Sequence, residues 1–294
     1  MSVSLAISVL ASSSSGNCSA LVVSRGVDPD TQTRELWLLD LGLSPKRART
    51  LLAQQGLADV PVAGVLLTHL DHDHIHPGWI GGLPQSWRVC VHLRHEPRAA
   101  HMGLLTQRCE IYRDAFSLCT QTTSNESTTN ESDTHAARDV LVTPLLCAHD
   151  DWGSVAFRIT SPTGELGYAT DIGRPTPALA EHLRDVDTLA IESNYCPQMQ
   201  AASPRPAFLK DRITSGRGHL SNQQSAQLVK SIRPARDIIL LHLSRECNTP
   251  DLAARHHHDP TRPHVRITVA SPIEPSPLIS VQRHEHHVPA TLWG

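Results

Sequence analysis

The chain has 294 residues, 39% of them hydrophobic and 4% aromatic, with a formal net charge of −3. That length can bury a full core as one large domain or as two smaller ones. No apolar run is long enough for a membrane-spanning helix, and the near-neutral balance gives no overall basic footprint for nucleic acid.

Residues 1–9 could pass for a short signal peptide, but no basic residue precedes the apolar ones, which alternate at Val3, Leu5, Ile7 and Val9. The alternation predicts a first strand over 2–10 and, with no leader, a cytoplasmic protein. A second strand is expected over 19–24, across the polar turn at 12–17. A third covers 35–39 and ends in Asp40-Leu41-Gly42. A helix follows, with Ser44 suited to the N-cap, Pro45 to the first helical position and Gly56 to the stop.

Four apolar runs then each deliver a residue able to bind a metal. Residues 62–67 lead into Thr68-His69-Leu70-Asp71-His72-Asp73-His74, residues 145–148 into His149, 166–170 into Asp171, and 238–241 into His242. Short apolar runs of this kind read as buried strands. In open α/β sheets, ligands and chemistry collect at the strand ends. One histidine after a strand is ordinarily a satisfied structural residue; four strand ends carrying His and Asp point to a metal site.

The segments between are less informative. Residues 120–138 contain no apolar residue before Ala136 and read as a disordered surface insertion, since ligand-bearing strands lie on both sides. Arg205, Lys210, Arg212 and Arg217 precede Gly218-His219, as a local nucleic-acid patch or a solvated face. A second helix is expected from Ser221, with Gln224 in capping-box spacing and Ala226, Leu228, Val229 and Ile232 as its apolar stripe. Residues 251–264, with His256-His257-His258 and two prolines, read as a loop before a strand at 265–269. The seven cysteines form no CxxC pair, which argues against a disulfide framework and a structural cysteine-zinc site.

His69, Asp71, Asp73 and His74 fall at n, n+2, n+4 and n+5. This resembles the HxHxDH signature of the metallo-β-lactamase superfamily, with Asp71 where the second His normally stands. His149, Asp171 and His242 follow in the family's order, so the resemblance runs from Met1 to about Ser280. Three stretches narrow it: residues 11–18 (ASSSSGNC), Gly218-His219-Leu220-Ser221-Asn222, and residues 241–248 (LHLSRECN). They resemble the YycJ/WalJ branch, whose members are similar to tRNase Z and are described as metal-dependent nucleases or phosphodiesterases.

The resemblance implies a four-layer αββα sandwich over 1–294 as a single domain, with metals at one edge. It implies two divalent ions (zinc, manganese or iron): one held by His69, Asp71 and His149, the other by Asp73, His74 and His242, with Asp171 bridging. A metal-bound hydroxide between them would attack the substrate, since two cations lower the pKa of bound water and neutralise developing charge. A carboxylate at 71 is a harder ligand than imidazole and should shift preference from zinc towards manganese, iron or magnesium; alternatively His72 turns in. If neither binds, the enzyme would be effectively mononuclear.

Asp73 and His219 are the expected catalytic pair. In the tRNase Z-like pattern a Gly-His before the penultimate helix projects at the scissile phosphate, where it can protonate the leaving oxygen or bond the phosphoryl group. A helix-entry histidine bonding backbone is the plainer alternative. Ser15, Asn17 and Ser244 are the candidate substrate contacts, and His76 and Trp79 would cover the metal loop. The expected function is phosphodiester hydrolysis, with nucleic acid or a small phosphodiester as partner and no membrane. The alternatives are hydrolysis of small esters, lactones, thioesters or cyclic phosphodiesters, and a non-catalytic metal-binding scaffold.

Overall fold

The alternating apolar residues near the N-terminus do form a strand, and they face the interior of a sandwich. In the computed structural model, which describes residues 2–28, 31–105, 108–118 and 140–284, two seven-stranded sheets stack face to face. The first has the order β14 (Ile279–Val281), β1 (Val3–Ala11), β2 (Cys18–Arg25), β3 (Thr33–Leu39), β4 (Val62–Leu66), β5 (Arg88–His92), β6 (Cys109–Tyr112). The second runs β13 (Arg266–Val269), β12 (Asp237–Leu241), β11 (Thr188–Glu192), β10 (Gly164–Ala169), β9 (Ser154–Ser161), β8 (Leu141–Cys147), β7 (Phe116–Ser117).

Each sheet is half antiparallel and half parallel. β1 pairs antiparallel with β2, Leu5 opposite Val23 and Ile7 opposite Leu21. From β3 to β6, and from β10 to β13, the pairings are parallel. Parallel strands are covered on both faces, which is why 238–241 reads as continuous apolar sequence rather than alternating. Between the sheets lie Leu5, Ile7, Trp37, Phe157, Tyr168 and Ile239, all buried.

Helices close the outer faces. α1 (Pro45–Gln54) and α2 (Glu96–His101) cover the first sheet through Ala48, Leu51, Leu52 and Ala99. α3 (Pro177–His182) covers the second through Leu179. Two further helices, α4 (Pro197–Ala202) and α5 (Ala207–Thr214), pack with Tyr195 and Cys247 in a small cluster of their own. α6 (Asn222–Ile232) and α7 (Pro250–His257) complete the second outer layer. The layer order is therefore the expected αββα. α6 begins with a complete capping box, Ser221 accepting from Gln224 N and Gln224 from Ser221 N.

One expectation fails: α7 occupies much of the segment read as a His/Pro-rich loop at 251–264. Thr249 caps its N-terminus by accepting from Leu252 N, Pro250 takes the first turn, and buried Ala253 and His257 face inward. His257 Nδ1–H donates to the Ala253 carbonyl at 2.9 Å, so it is a helix-internal residue. The segment 120–138 lies outside the described residues. Among the described residues no helix is long and apolar enough to cross a membrane.

At the strand ends the backbone turns sharply. Asp40, Asp171 and His242 all have left-handed φ, at 63°, 54° and 55°. Asp and His tolerate that region better than branched residues do. The turns fold their side chains back over the sheet edge, where both sheets end together.

Candidate metal centre

The loop after β4 is shaped from below. Thr68 N–H and Thr68 Oγ1–H donate to the two oxygens of Asp40, each at 2.8 Å. Asn17 N–H donates to the Asp73 carbonyl at 2.8 Å. Gly42 lies beneath: a Cβ there would be 1.8 Å from the Asp73 carbonyl oxygen, so only glycine lets the loop settle. These ties fix which way 69–74 point.

His69 Nδ1 bonds the Thr68 hydroxyl at 3.0 Å, leaving Nε2 buried with no hydrogen-bond partner among the described residues. His74 is fully buried, with Nδ1 2.8 Å from Asp40 Oδ2 and Nε2 2.9 Å from Asp171 Oδ2. Asp73 Oδ2 lies 3.2 Å from His242 Nε2. His149 Nδ1–H donates to the Gly218 carbonyl at 2.9 Å, which turns Nε2 to 3.8 Å from Asp171 Oδ1.

Four overlapping sets of donor atoms result: Asp171 joins His69 and His74 in one and Glu192, His219 and His242 in another, and the remaining two are triads without it. Those of His69, Asp71 and His149 all lie within 4.8 Å of one another, as do those of Asp73, His74 and His242. Asp171 sends Oδ2 to His74 and Oδ1 to within 3.8 Å of His149 and 3.6 Å of His242, so it reaches both sets. Asp71 belongs to the first set. The side chain of His72 is 87% exposed and joins neither.

The electrostatics call for cations. Burial alone would lower the pKa of His74, but Asp171 and Asp40 on either side outweigh it and hold it well above the usual value. His242 is raised to about 10 against the same burial penalty, through Asp171, Asp73 and Glu192. His69 goes the other way: burial, then the neighbouring His74, push it well below the ordinary range, so Nε2 keeps its lone pair. Buried carboxylates that hold protons on imidazoles offer the same ligands to a divalent ion once those protons leave. With the unpartnered His69 nitrogen, this donor set fits metal.

His219 stands outside these two triads, though with Asp171, Glu192 and His242 it forms a further group able to hold a cation. Its Nδ1–H donates to Glu192 Oε1 at 2.7 Å, and its side chain lines the cavity over the cluster. Glu192 is completely buried at the end of β11. Its other oxygen accepts from Ile172 N at 2.8 Å and Leu220 N at 3.3 Å. Burial would raise its pKa, but His219 and His242 overcome that and keep it ionised.

The substrate-side candidates divide. Ser244 lines the cavity, which measures about 530 Å³. Ser15 is exposed and bonds Ser13 at 2.9 Å, while its neighbour Ser14 faces the cavity. Asn17 does not face the cavity: it is 1% exposed and spends its side chain on Ser12, Ser13 and Asp73, so its placement is that of a brace. His76 caps a short turn through Gly78 N, and Trp79 Nε1–H donates to the Leu43 carbonyl.

Sequence reasoning missed Asp40, Glu192 and Arg98. Asp40 and Glu192 stand at the ends of apolar runs, the signal that located the candidate ligands. Arg98, whose Nη1 lies 2.6 Å from Asp71 Oδ1, has no local signal.

Residues 38–243 match the beta-lactamase superfamily domain. Exodeoxyribonuclease YycJ of Bacillus anthracis is 27% identical over 251 residues, covering 85% of this chain and 86% of that protein. Exodeoxyribonuclease WalJ of Streptococcus pneumoniae is 26% identical over 248 residues, 84% of each. Among solved structures, the metallo-β-lactamase fold protein YhfI of Bacillus subtilis is similar with a TM-score of 0.61 and 16% identity, over 93% of this chain and 98% of that one. A diphosphatase of the PhnP family has a TM-score of 0.57 and 15% identity, over 96% of this chain and 100% of that one.

Proposed function

The chain belongs to the beta-lactamase superfamily domain family, and on that premise we propose that it is a metal-dependent phosphodiesterase acting on nucleic acid. The two relatives named exodeoxyribonucleases support the substrate class. The chain works as one domain in this reading, because both sheets contribute to each ligand triad.

The two triads would hold two divalent ions, manganese, iron or zinc, with Asp171 shared. When bound, such a pair supplies an activated water and neutralises charge developing on the phosphoryl oxygens. The protein's own contributions are orientation and proton transfer. Glu192 accepts Nδ1–H and would stabilise the imidazolium form of His219, whose Nε2–H is then the proton that passes to the leaving oxygen, returning neutral imidazole. Asp73, besides serving as a ligand, orients the attacking water.

The single observation that carries the reading is His219 on a buried carboxylate, in the metal cavity but outside both triads. A metal hydrolase of activated esters has little need for a proton donor; a nucleotide leaving group does need one. The test is a metal-reconstituted screen with manganese and zinc on labelled single- and double-stranded DNA, RNA, bis-p-nitrophenyl phosphate and p-nitrophenyl acetate. Cleavage of the phosphodiesters is expected. Turnover of the carboxylic ester alone would replace this reading with that of a small-ester hydrolase.

A further inference from the structure

The candidate metal centre sits at the C-terminal ends of β11 and β12. The opposite ends of the same strands carry a cluster of cations that hydrolysis does not use. Arg236 immediately precedes β12, and β13 opens with Arg266 in register with Asp237. The chain leaves β14 as Gln282-Arg283-His284 beside them. From Arg236 to His242 the strand rises about 20 Å, so this edge is remote from the ligands.

Arg236, His264, Arg266, Gln282, Arg283 and His284 line one open hollow of about 570 Å³, with no carboxylate among the described lining residues. Asp237 accepts from Arg266 Nε at 2.7 Å and Nη2 at 2.9 Å, which holds that guanidinium in place while its side chain stays 62% exposed. Arg236 has a neutral partner, Gln282 Oε1 at 3.4 Å. Arg283 is tied through its backbone N–H to the Thr163 carbonyl at 2.7 Å, and its guanidinium meets no acid among the described residues. The His264 and His284 rings stack with centres 5.2 Å apart and planes 16° from parallel, forming one wall.

The acids of the adjoining hollow are already committed. Glu165 pairs with Arg158, and Asp185 lies 3.8 Å from Arg233. Asp187 accepts from Glu165 N and His284 N, each at 2.9 Å. Around the metal cavity the arrangement is the reverse: Arg205, Arg212 and Arg217 meet Glu246, Asp150 and Asp151. Positive charge is therefore spent near the metals and left over at the far edge.

We propose that this hollow is a second binding site, for a compact oligophosphate: a linear di- or triphosphate, free or as the phosphate tail of a nucleotide. Arg236, Arg266 and Arg283 would hold it. Cations gathered round one hollow repel each other and gain from an anion placed among them. Guanidinium groups present paired N–H donors that match phosphate oxygens. Several such groups suit a ligand of several charges better than a lone phosphate. An extended nucleic-acid backbone would need the basic surface to continue, whereas here it gives way to Glu165, Asp185 and Asp187. The site stands independently of the phosphodiesterase reading.

The experiment is isothermal titration of tripolyphosphate into the holoprotein, with metal content measured before and after. Arg236→Gln and Arg283→Gln should each weaken binding by about ten- to hundred-fold, the range for a hydrogen bond to a charged group. The double variant should show none. Arg236→Lys should recover part of the loss, because the charge remains. Thermal melts, metal content and bis-p-nitrophenyl phosphate turnover should match the wild type throughout. Inorganic phosphate should bind more weakly than tripolyphosphate by about ten-fold or more, one charged hydrogen bond's worth. A nucleoside triphosphate that binds more tightly would assign the source to a nucleotide; equal affinity would assign it to the free oligophosphate.

Unchanged affinity in the double variant would put the anion at the metals and overturn the proposal. Equal affinity for inorganic phosphate and tripolyphosphate would reduce the hollow to a single-anion surface and overturn it too. So would weaker binding of a phosphorothioate DNA duplex to the double variant with no tripolyphosphate binding to either protein, since the cations would then serve a nucleic-acid backbone.

Discussion

The two candidate triads lie side by side yet are held very differently. His74 is pinned by Asp40, and the main chain of Asp73 by Asn17. His242 N–H donates to Ser12 Oγ at 2.8 Å, and Asn194 donates to its carbonyl at 2.7 Å. The other triad has thinner support. His69 leans on Thr68 alone and His149 on one carbonyl, while Asp71 is a quarter exposed and shares an oxygen with Arg98. In the braced triad, ordering is complete once the chain has folded. On the two-ion proposal the looser one would have to order side chains around its cation, so it should bind more weakly and discriminate metals less sharply.

The largest expected effect comes from breaking the braced half. His74→Ala should abolish phosphodiester turnover and remove at least one ion per chain, measured by elemental analysis after gel filtration. A variant that keeps its full metal content would mean His74 is structural. Next in size, His219→Ala should lower turnover by roughly two to four orders of magnitude while metal content stays intact. The loss should be far smaller on a p-nitrophenolate leaving group. Equal losses on both substrates would make His219 a stabiliser of phosphoryl charge and not a proton donor.

The supports allow a direct comparison. Asp40→Asn should cost about ten- to hundred-fold in metal affinity, the usual range for a residue behind a ligand. Arg98→Ala, behind the looser Asp71, should cost less; the reverse order in a competitive chelator titration would contradict the contrast drawn above. Asp71→His should then shift preference towards zinc over manganese by a few-fold, because imidazole is the softer donor. A Zn/Mn ratio that does not move would exclude Asp71 as a ligand.

A separate effect, on stability and not on metal or turnover, is one of pH. His95 is buried, and its Nε2–H donates to the Gly153 carbonyl at 3.0 Å, bracing the loop that follows His149. Burial lowers its pKa from 6.5 to about 4. The unfolded chain therefore takes the proton first, and stability present above pH 6.5 is lost as pH falls towards 4. The loss is at most about 3 kcal/mol. Thermal melts of the wild type and His95→Gln across that range should converge in acid; parallel curves would remove His95 from the account.

The legible part of the molecule was the part written locally. Strand alternation, Ser44-Pro45 and Ser221 with Gln224 each encode a structure within a few residues, and they formed as read. The candidate ligands were visible because four apolar runs end on them, one run delivering His69, Asp71, Asp73 and His74 together. Glu192 and Asp40 end such runs too, but a carboxylate after a strand is ambiguous until the fold brings a histidine to it. Arg98 could not be found, since its meaning depends on a contact 27 positions away. The misread helix at Pro250–His257 had its signals in Thr249 and Pro250, overshadowed by the three histidines that follow.

The left-handed backbone at Asp171 and His242 sets the fold's interest against the site's. A non-glycine residue held there carries strain of order 1–3 kcal/mol, which glycine would relieve. Glycine at 171 or 242 would relieve that strain but leave His74 or Asp73 without its buried partner, so either variant should lose metal binding before it loses its fold. For this chain, solubility and thermal stability are poor proxies for function, and screens of variants need a metal or turnover readout from the first round.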